Sequence, residues 1–381
     1  MRWAFMGLSI VLIVAGTVSL YMKSGPKLGI DFTGGTLVYL GFSKTPEIEK
    51  IREALRSAAV KAEEVTLYDE PSKNQVQIKL AHIENEQTED LGRESVQLFE
   101  SLRKVFDPAN AASSKVDLNN VGADSLVAAL QGWDPERLQG GAGAGPHYTQ
   151  VARDIVRLRT ERGGLLPGYD QLREVNTPQP VVERLKQESY LGSFTVLSVE
   201  SVGPKVGRDL QTRARDAILF SLLGMLIYIA FRFKFIYGLA AIIAVFHDVF
   251  VTLGFFSLTG KEITLTVVAA LLTLTGYSIN DTIVVFDRIR ENLKGARRDD
   301  LESVVNASIN QTLNRTVTTS GLTFLSVAAI YFFGGEVLNG FSFALVVGIV
   351  VGTYSSIAIA APMLVWWQRI LVRKRLATRR A

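Results

Sequence analysis

Residues 264–320 read TLTVVAALLTLTGYSINDTIVVFDRIRENLKGARRDDLESVVNASINQTLNRTVTTS, and this stretch decides the fold. Its first part, Leu265 to Phe286, is apolar and carries Asn280-Asp281. A basic run follows from Asp287 to Lys294, and a second apolar segment opens at Gln311-Thr312-Leu313-Asn314-Arg315-Thr316. One carboxylate and one guanidinium therefore lie inside what reads as membrane helix. An ionisable group in hydrocarbon costs several kcal/mol, so it persists where it has a partner or a task.

Outward from this stretch the apolar pattern recurs. The chain has 381 residues, 48% of them hydrophobic. Apolar stretches of about 20 residues return along it, each enough for a bilayer core of roughly 30 Å. Trp3 to Tyr21 is the first, between Arg2 and Lys23. It is long for a signal-peptide core, and Met22-Lys23-Ser24-Gly25-Pro26 is a poor small-x-small cleavage site, so an uncleaved helix is expected. Five more spans are predicted near Ala217–Phe231, Ile236–Leu258, Ile263–Phe286, Leu313–Phe333 and Phe341–Trp367. The domain division is then a first span in 1–26, an outer domain over 27–205, five spans in 206–368 and a basic tail over 369–381.

Charge sets the orientation. Arg232 and Lys234 lie in one short loop, and Arg288, Arg290, Lys294, Arg297 and Arg298 in another. The tail holds Arg369, Arg373, Lys374, Arg375, Arg379 and Arg380, whereas the opposite short loops carry only Lys261 with Glu262, and Glu336. The positive-inside rule makes both termini cytoplasmic and the large domain extracytoplasmic. The run Asp287 to Arg298 reads as an amphipathic helix at the cytoplasmic interface, with a solvated charged face as the alternative.

The outer domain starts at Gly29-Ile30-Asp31-Phe32-Thr33-Gly34-Gly35-Thr36. Leu37–Leu40, Thr66–Tyr68, Gln75–Leu80 and Phe194–Val202 read as strands, and Pro46–Ala59 and Glu89–Phe106 as helices. The order strand–helix–strand–strand–helix–strand predicts a ferredoxin-like α+β domain. A mostly helical insert, about 107–190, interrupts it, with helices over Val116–Leu130 and Tyr148–Arg162 and a turn-rich run Gly140 to Pro146. Asp117-Leu118-Asn119-Asn120, Ile155 to Gly164 and Tyr169 to Val175 partly resemble a helix-hairpin-helix repeat. No basic face is evident, so a structural or protein-binding insert is expected, with no nucleic-acid partner.

In the membrane part, Asp281 lies late in a span entering from outside and Arg315 early in the span returning. Similar depth on consecutive helices allows them to pair. A carboxylate opposed by a movable guanidinium can change protonation with a modest rearrangement, as a proton relay requires. The alternative is a static ion pair that fixes helix packing. His247-Asp248, mid-span in the third helix, reads equally as a second relay member or as a hydrogen-bonding pair, with Thr252, Thr273 and Thr275 as candidate neighbours. Ser278, Asn280, Thr282, Thr316, Thr318, Thr319 and Ser320 supply further polar atoms. Gly348, Gly352, Ser355, Ser356 and Ala360 form a small-residue face suited to close packing, inside the protein or against a partner.

The chain contains no cysteine, which excludes a disulfide framework and a cysteine-based metal site. It has no Gly-x-x-x-x-Gly-Lys-Ser/Thr loop for nucleotide phosphates. With only three histidines, no Ser-His-Asp arrangement stands out. The expectation is a non-enzymatic protein without cofactor or metal. The membrane potential, about 2.3 kcal/mol per charge per 100 mV, is the natural energy source.

Gly29 to Thr36, Ser201 to Gly207, Phe231-Arg232-Phe233, Ala244 to Asp248, Gly276 to Asp281, Phe286 to Asn292 and Gln311 to Thr316 together resemble the SecF family. That family supplies the smaller membrane subunit of the bacterial SecD–SecF complex, of the resistance-nodulation-division class. The resemblance implies a proton-driven helper of late-stage preprotein export, with Asp281 as a proton-pathway carboxylate and Arg315 as its partner. It also implies SecD, the SecYEG channel, the preprotein in transit and membrane lipids as partners, SecA indirectly, and YidC and YajC. A passive scaffold for the channel, and half of a lipid or small-molecule exporter, are the competing functions. The insert is longer than the family pattern leads one to expect.

Overall fold

The computed structural model describes residues 2–58, 60–68, 71–80, 88–138, 144–232, 235–295 and 301–367. The basic tail, the start of the glycine run at 140–143, Lys234, Arg297 and Arg298 lie outside the described residues. In chain order the elements are α1 (Arg2–Met22), α2 (Ile30–Thr33), β1 (Gly35–Phe42), α3 (Ile48–Ser57), β2 (Ala62–Tyr68), β3 (Gln75–Leu80) and α4 (Thr88–Phe106). Then come β4 (Val116–Asp117), α5 (Ala123–Trp133), α6 (Ala144–Glu161), α7 (Gln179–Glu188), β5 (Ser189–Tyr190) and β6 (Phe194–Val202). The chain ends in α8 (Pro204–Arg232), α9 (Phe235–Thr259), α10 (Leu265–Gly295), α11 (Leu301–Phe333) and α12 (Gly335–Ser355). A π-helical turn, Ser356–Ala360, follows, and the helix resumes through residue 367. The chain divides into two units, Gly34–Pro204 and the remainder, Met1–Thr33 with Lys205–Ala381.

The Gly34–Pro204 unit is built on an antiparallel sheet of order β2-β3-β1-β6. That is the order a split βαβ pair dictates, so the fold is ferredoxin-like, as the element order predicts. Alternation drives it. Val76, Ile78 and Leu80 of β3 and Val38 and Leu40 of β1 are buried with Ile51 and Leu55 of α3 and Leu98 and Leu102 of α4. Each such side chain contributes about 1.5–3 kcal/mol by leaving water.

The insert is helical, with its own core of Leu126, Leu130, Ile155, Leu172, Val182 and Leu185 among others. It differs from expectation at its start. Val116–Asp117 is not helical but a short strand paired in parallel with Ser189–Tyr190. Asp117 is the cause. Its Oδ1 accepts from the Asn119 and Gly192 amides at 3.0 and 3.1 Å, and its Oδ2 from Asn120 Nδ2 at 2.7 Å. Local side-chain bonding of this kind competes with helix, and α5 begins only after Gly122. Asn119 and Asn120 then bind the sheet side: Asn119 Nδ2 donates to Gly192 O, and Asn120 Nδ2 and Oδ1 engage Phe194 O and the Val196 amide. The insert is therefore fastened by the buried Asn119 amide to the turn before β6 and by the half-buried Asn120 amide to β6 itself. Burial foremost, and then the Asp117 charge, push the adjoining Tyr190 phenol up to about 12.

Among the described residues of the other unit, six helices are long and apolar enough to cross a membrane. Three extend beyond the apolar windows. α8 begins at Pro204, where a missing N–H costs nothing at a first helical position, and stands three charged turns before the span proper. α11 is described from Leu301, and Val304, Val305 and Ser308 continue its buried stripe ahead of the apolar window. The run from Asp287 is not a separate interfacial helix: it continues α10 to Gly295, since Val285, Phe286 and Ile289 remain buried on one face. Arg288 Nε and Asn292 Nδ2 both donate to Gln311 Oε1, fixing this extension to α11.

Close approach of backbones sets the packing. An added Cβ on Gly16 would lie 2.7 Å from Gly254 Cα, so α1 and α9 cross at paired glycines. The small-residue face of α12 packs internally: Gly348 faces Leu274, and Gly352 faces Ser278 and Asp248. Gly254→Val should push α1 off α9 and destabilise the membrane unit by about 1–3 kcal/mol. Unfolding in mixed micelles measures it, and unchanged stability contradicts the crossing.

Candidate functional site

α10 is the spine of the site, and its sequence sorts by depth. Val267, Ala270, Leu271 and Leu274 enter one apolar cluster with Phe32, Val327 and Leu345. Ile279, Val285, Phe286 and Ile289 enter another with Tyr237, Ala244 and Leu364. Where the two meet come Ser278 and Asp281, three residues apart and so on the same helix face. Polar residues at this height on α9, α11 and α12 meet that face.

Asp248 of α9 is 1% exposed. Its Oδ1 lies 2.9 Å from His247 Nδ1, while its Oδ2 accepts from Ser278 Oγ at 2.5 Å and Ser355 Oγ at 2.9 Å. His247 Nε2 is 3.2 Å from the Tyr354 hydroxyl, which shares a 2.8 Å hydrogen bond with Ser9 Oγ of α1. One buried carboxylate thus joins α9, α10 and α12, and its histidine extends the chain to α1. Thr252, Thr273 and Thr275, the neighbours considered from sequence, instead bond to carbonyls of their own helices.

Asp281 is 3% exposed and has a different setting. Its Oδ2 accepts from Ser320 Oγ of α11 at 2.8 Å. Thr282 follows Asp281 in the chain and Thr316 lies one turn before Ser320, and among the described residues their buried hydroxyls have no partner. The Asp281–Arg315 pairing that depth allows is not closed: among the described residues no ion pair joins them and Arg315 is exposed, though its charge is near enough to act on Asp281. The cause is helical phase. Thr312, Thr316 and Ser320, at four-residue steps, take the buried face of α11, which leaves Arg315 at the edge of that face. Asn280 and Thr319 are exposed too, Thr319 bonding to the Arg315 carbonyl.

Of the residues singled out from sequence, the structure therefore brings together His247, Asp248 and Ser278, and separately Asp281 with Ser320 and Thr316. Asn280, Arg315 and Thr319 are exposed and bond to neither carboxylate. Tyr354 and Ser9 were not legible. Ser9 is one hydroxyl in an apolar helix, and only its burial distinguishes it.

Six spans around buried carboxylates, with an α+β extracytoplasmic domain between the first and second spans, define a multi-pass membrane protein of the transport class. The family model of the SecD/SecF protein-export membrane protein C-terminal region matches residues 181–370, and that of the SecD/SecF GG motif matches residues 22–46. A SecF protein translocase subunit from Koribacter versatilis is 49% identical over 374 residues, covering 96% of this chain and 90% of its own length. One from Petrotoga mobilis is 32% identical over 380 residues, covering 100% and 97%. The crystal structure of SecDF, a translocon-associated membrane protein from Thermus thermophilus, superposes with a TM-score of 0.65 at 30% identity. It covers 97% of this chain, which spans 38% of that longer one. The chain belongs to the SecF family of protein-export membrane subunits.

The two carboxylates should differ in structural weight. Asp248→Ala strands a histidine and two serines and should cost about 3 kcal/mol of membrane-unit stability. Asp281→Ala strands one serine and should cost about 1 kcal/mol. Equal losses on unfolding in micelles would contradict the division.

Proposed function

We propose that this chain couples the proton gradient to late-stage export of preproteins, acting with SecD beside the SecYEG channel. The observation that carries the reading is Asp281: a carboxylate buried late in its span and held by a single hydroxyl, while Thr282 beside it in the chain and Thr316 one turn before Ser320 have buried hydroxyls without partners among the described residues. A group so lightly held can exchange a proton without dismantling the bundle. In this reading Asp281 takes and releases the proton, while Ser320 and Thr316 line its approach.

Arg315 enters from the other side. An arginine facing hydrocarbon is expensive, so its exposure on α11 favours a covering partner. We assign that role to SecD, whose docking would bring a protein surface against Arg315 and let its charge bias Asp281. Asp248 and His247 lie on α9 and join the same spine through Ser278, three residues before Asp281. Asp248 is bonded on both oxygens, which favours a holding role for the pair, with proton exchange centred on Asp281. The preprotein would be handled by the extracytoplasmic domain. SecA would act earlier, from the cytoplasm, and YidC and YajC would be further neighbours in the same assembly.

The test is the chase of a secreted preprotein into inverted vesicles, with and without a proton gradient. Asp281→Asn and Arg315→Lys should abolish the gradient-dependent stimulation while co-purification with SecD is unchanged. Normal assembly with a full gradient response in both variants would make these side chains structural and overturn the proton path.

A further inference from the structure

The segment just before Gly34-Gly35 is fastened to the outer end of α10. Gly29 N donates to Ile263 O at 2.9 Å, and Ile263 N donates to Lys27 O at 2.8 Å, so Leu28 and Ile263 form a parallel bridge. Lys27 Nζ lies 3.4 Å from Glu262 Oε1. Asp31 Oδ2 accepts the Leu265 amide at 2.8 Å. That amide is one of the first four N–H groups of α10, which have no partner within the helix. Phe32 is buried with Val267 and Leu271 of α10 and Ala214 of α8. Backbone, charge and core all tie residues 27–33 to one helix end. Immediately after them, Gly34 and Gly35 have φ of +73° and +125°, a conformation other residues adopt at a cost.

We propose that residues 27–33 form a strut that carries displacement of α10 to the point where the extracytoplasmic domain begins, and that Asp31 is its positioning residue. The proposal rests on the reading of Asp281 as the proton-exchanging group, because Asp281 rides on the same helix. α10 runs unbroken from Leu265 to Gly295. An unbroken helix transmits an axial shift along its length, since every turn is hydrogen-bonded to the next. A shift begun beside Asp281 therefore arrives at Leu265, where Asp31 grips the first free amide. Without that grip no side chain of the segment holds the helix's own first turn by a hydrogen bond, and the Leu28–Ile263 bridge, the Lys27–Glu262 pair and the Phe32 packing are left to follow it.

The absence of native cysteine makes spin labelling direct. Two label pairs are placed in the chain reconstituted with SecD. Tyr21→Cys with Thr273→Cys reports α10 against α1, and Tyr21→Cys with Val105→Cys reports the domain. Asp281→Asn, mimicking the protonated carboxyl, should shift both distances. Adding Asp31→Ala should preserve the first shift, abolish the second and, in the Asp281 background, slow gradient-driven chase roughly fivefold, the factor that loss of a helix cap of about 1 kcal/mol represents. Asp31→Asn, whose amide oxygen accepts the same N–H, should stay within about twofold of wild type. Persistence of the second shift in Asp31→Ala overturns the strut, and so does loss of the first. If Asp281→Asn shifts neither pair, the proton-exchange reading fails first and the strut falls with it.

Discussion

Hydrocarbon cannot hydrogen-bond, and the membrane unit is arranged around that constraint. Every buried polar side chain in it must find another within the protein or stay costly. Asp248 meets the requirement with three partners on three helices, which is why these helices cross where they do. Small residues follow from the same need. Gly352 lies against Ser278 and Asp248 because a larger side chain would hold the carboxylate away from its hydroxyls. Polar satisfaction and close backbone approach are here two aspects of one packing solution.

Against this saturated centre, the Asp281 region stands out by what it leaves unbonded. Thr282 and Thr316 have buried hydroxyls without partners among the described residues. Native proteins leave few such groups, and those they do leave invite a functional account. The contrast separates two tasks that a sequence of scattered polar residues does not separate. Asp248 is bonded to groups on three helices, whereas Asp281 is held by one hydroxyl, and the proposed proton exchange draws on that difference.

Much of this was legible in the sequence because its signals are strong. Six apolar windows and the alternation of β3 admit few other readings. The sheet order follows once two helices separate the strands as they do. Helix phase over long spans was harder. From depth alone Asp281 and Arg315 fall together, yet Thr312, Thr316 and Ser320 claim the inner face of α11 and leave Arg315 at its edge. The charged ends of α8, α10 and α11 were cut short because hydropathy stops where hydrocarbon stops, whereas hydrogen bonding and buried stripes continue. In the insert, Val116 scores as helix until Asp117 finds Gly192, a partner 75 residues away in sequence. No local pattern announces such a bond.

The π-helical turn at Ser356–Ala360 completes the argument, and its cause lies just beyond it. Pro362 has no N–H to offer the carbonyl four residues earlier, and its ring crowds that carbonyl. A wider turn relieves both strains. It also serves the buried face of this helix. Ala344, Gly348, Gly352, Ser356, Ala360 and Leu364 are all buried at four-residue intervals. In an α-helix of 3.6 residues per turn such steps drift by about 40° each, enough to carry the stripe to the far side over this length. One wider turn takes back part of that drift just after Ser355, whose hydroxyl reaches Asp248. A proline near the end of the last span thus helps keep the whole stripe, and the seat of the central carboxylate with it, turned toward α9 and α10.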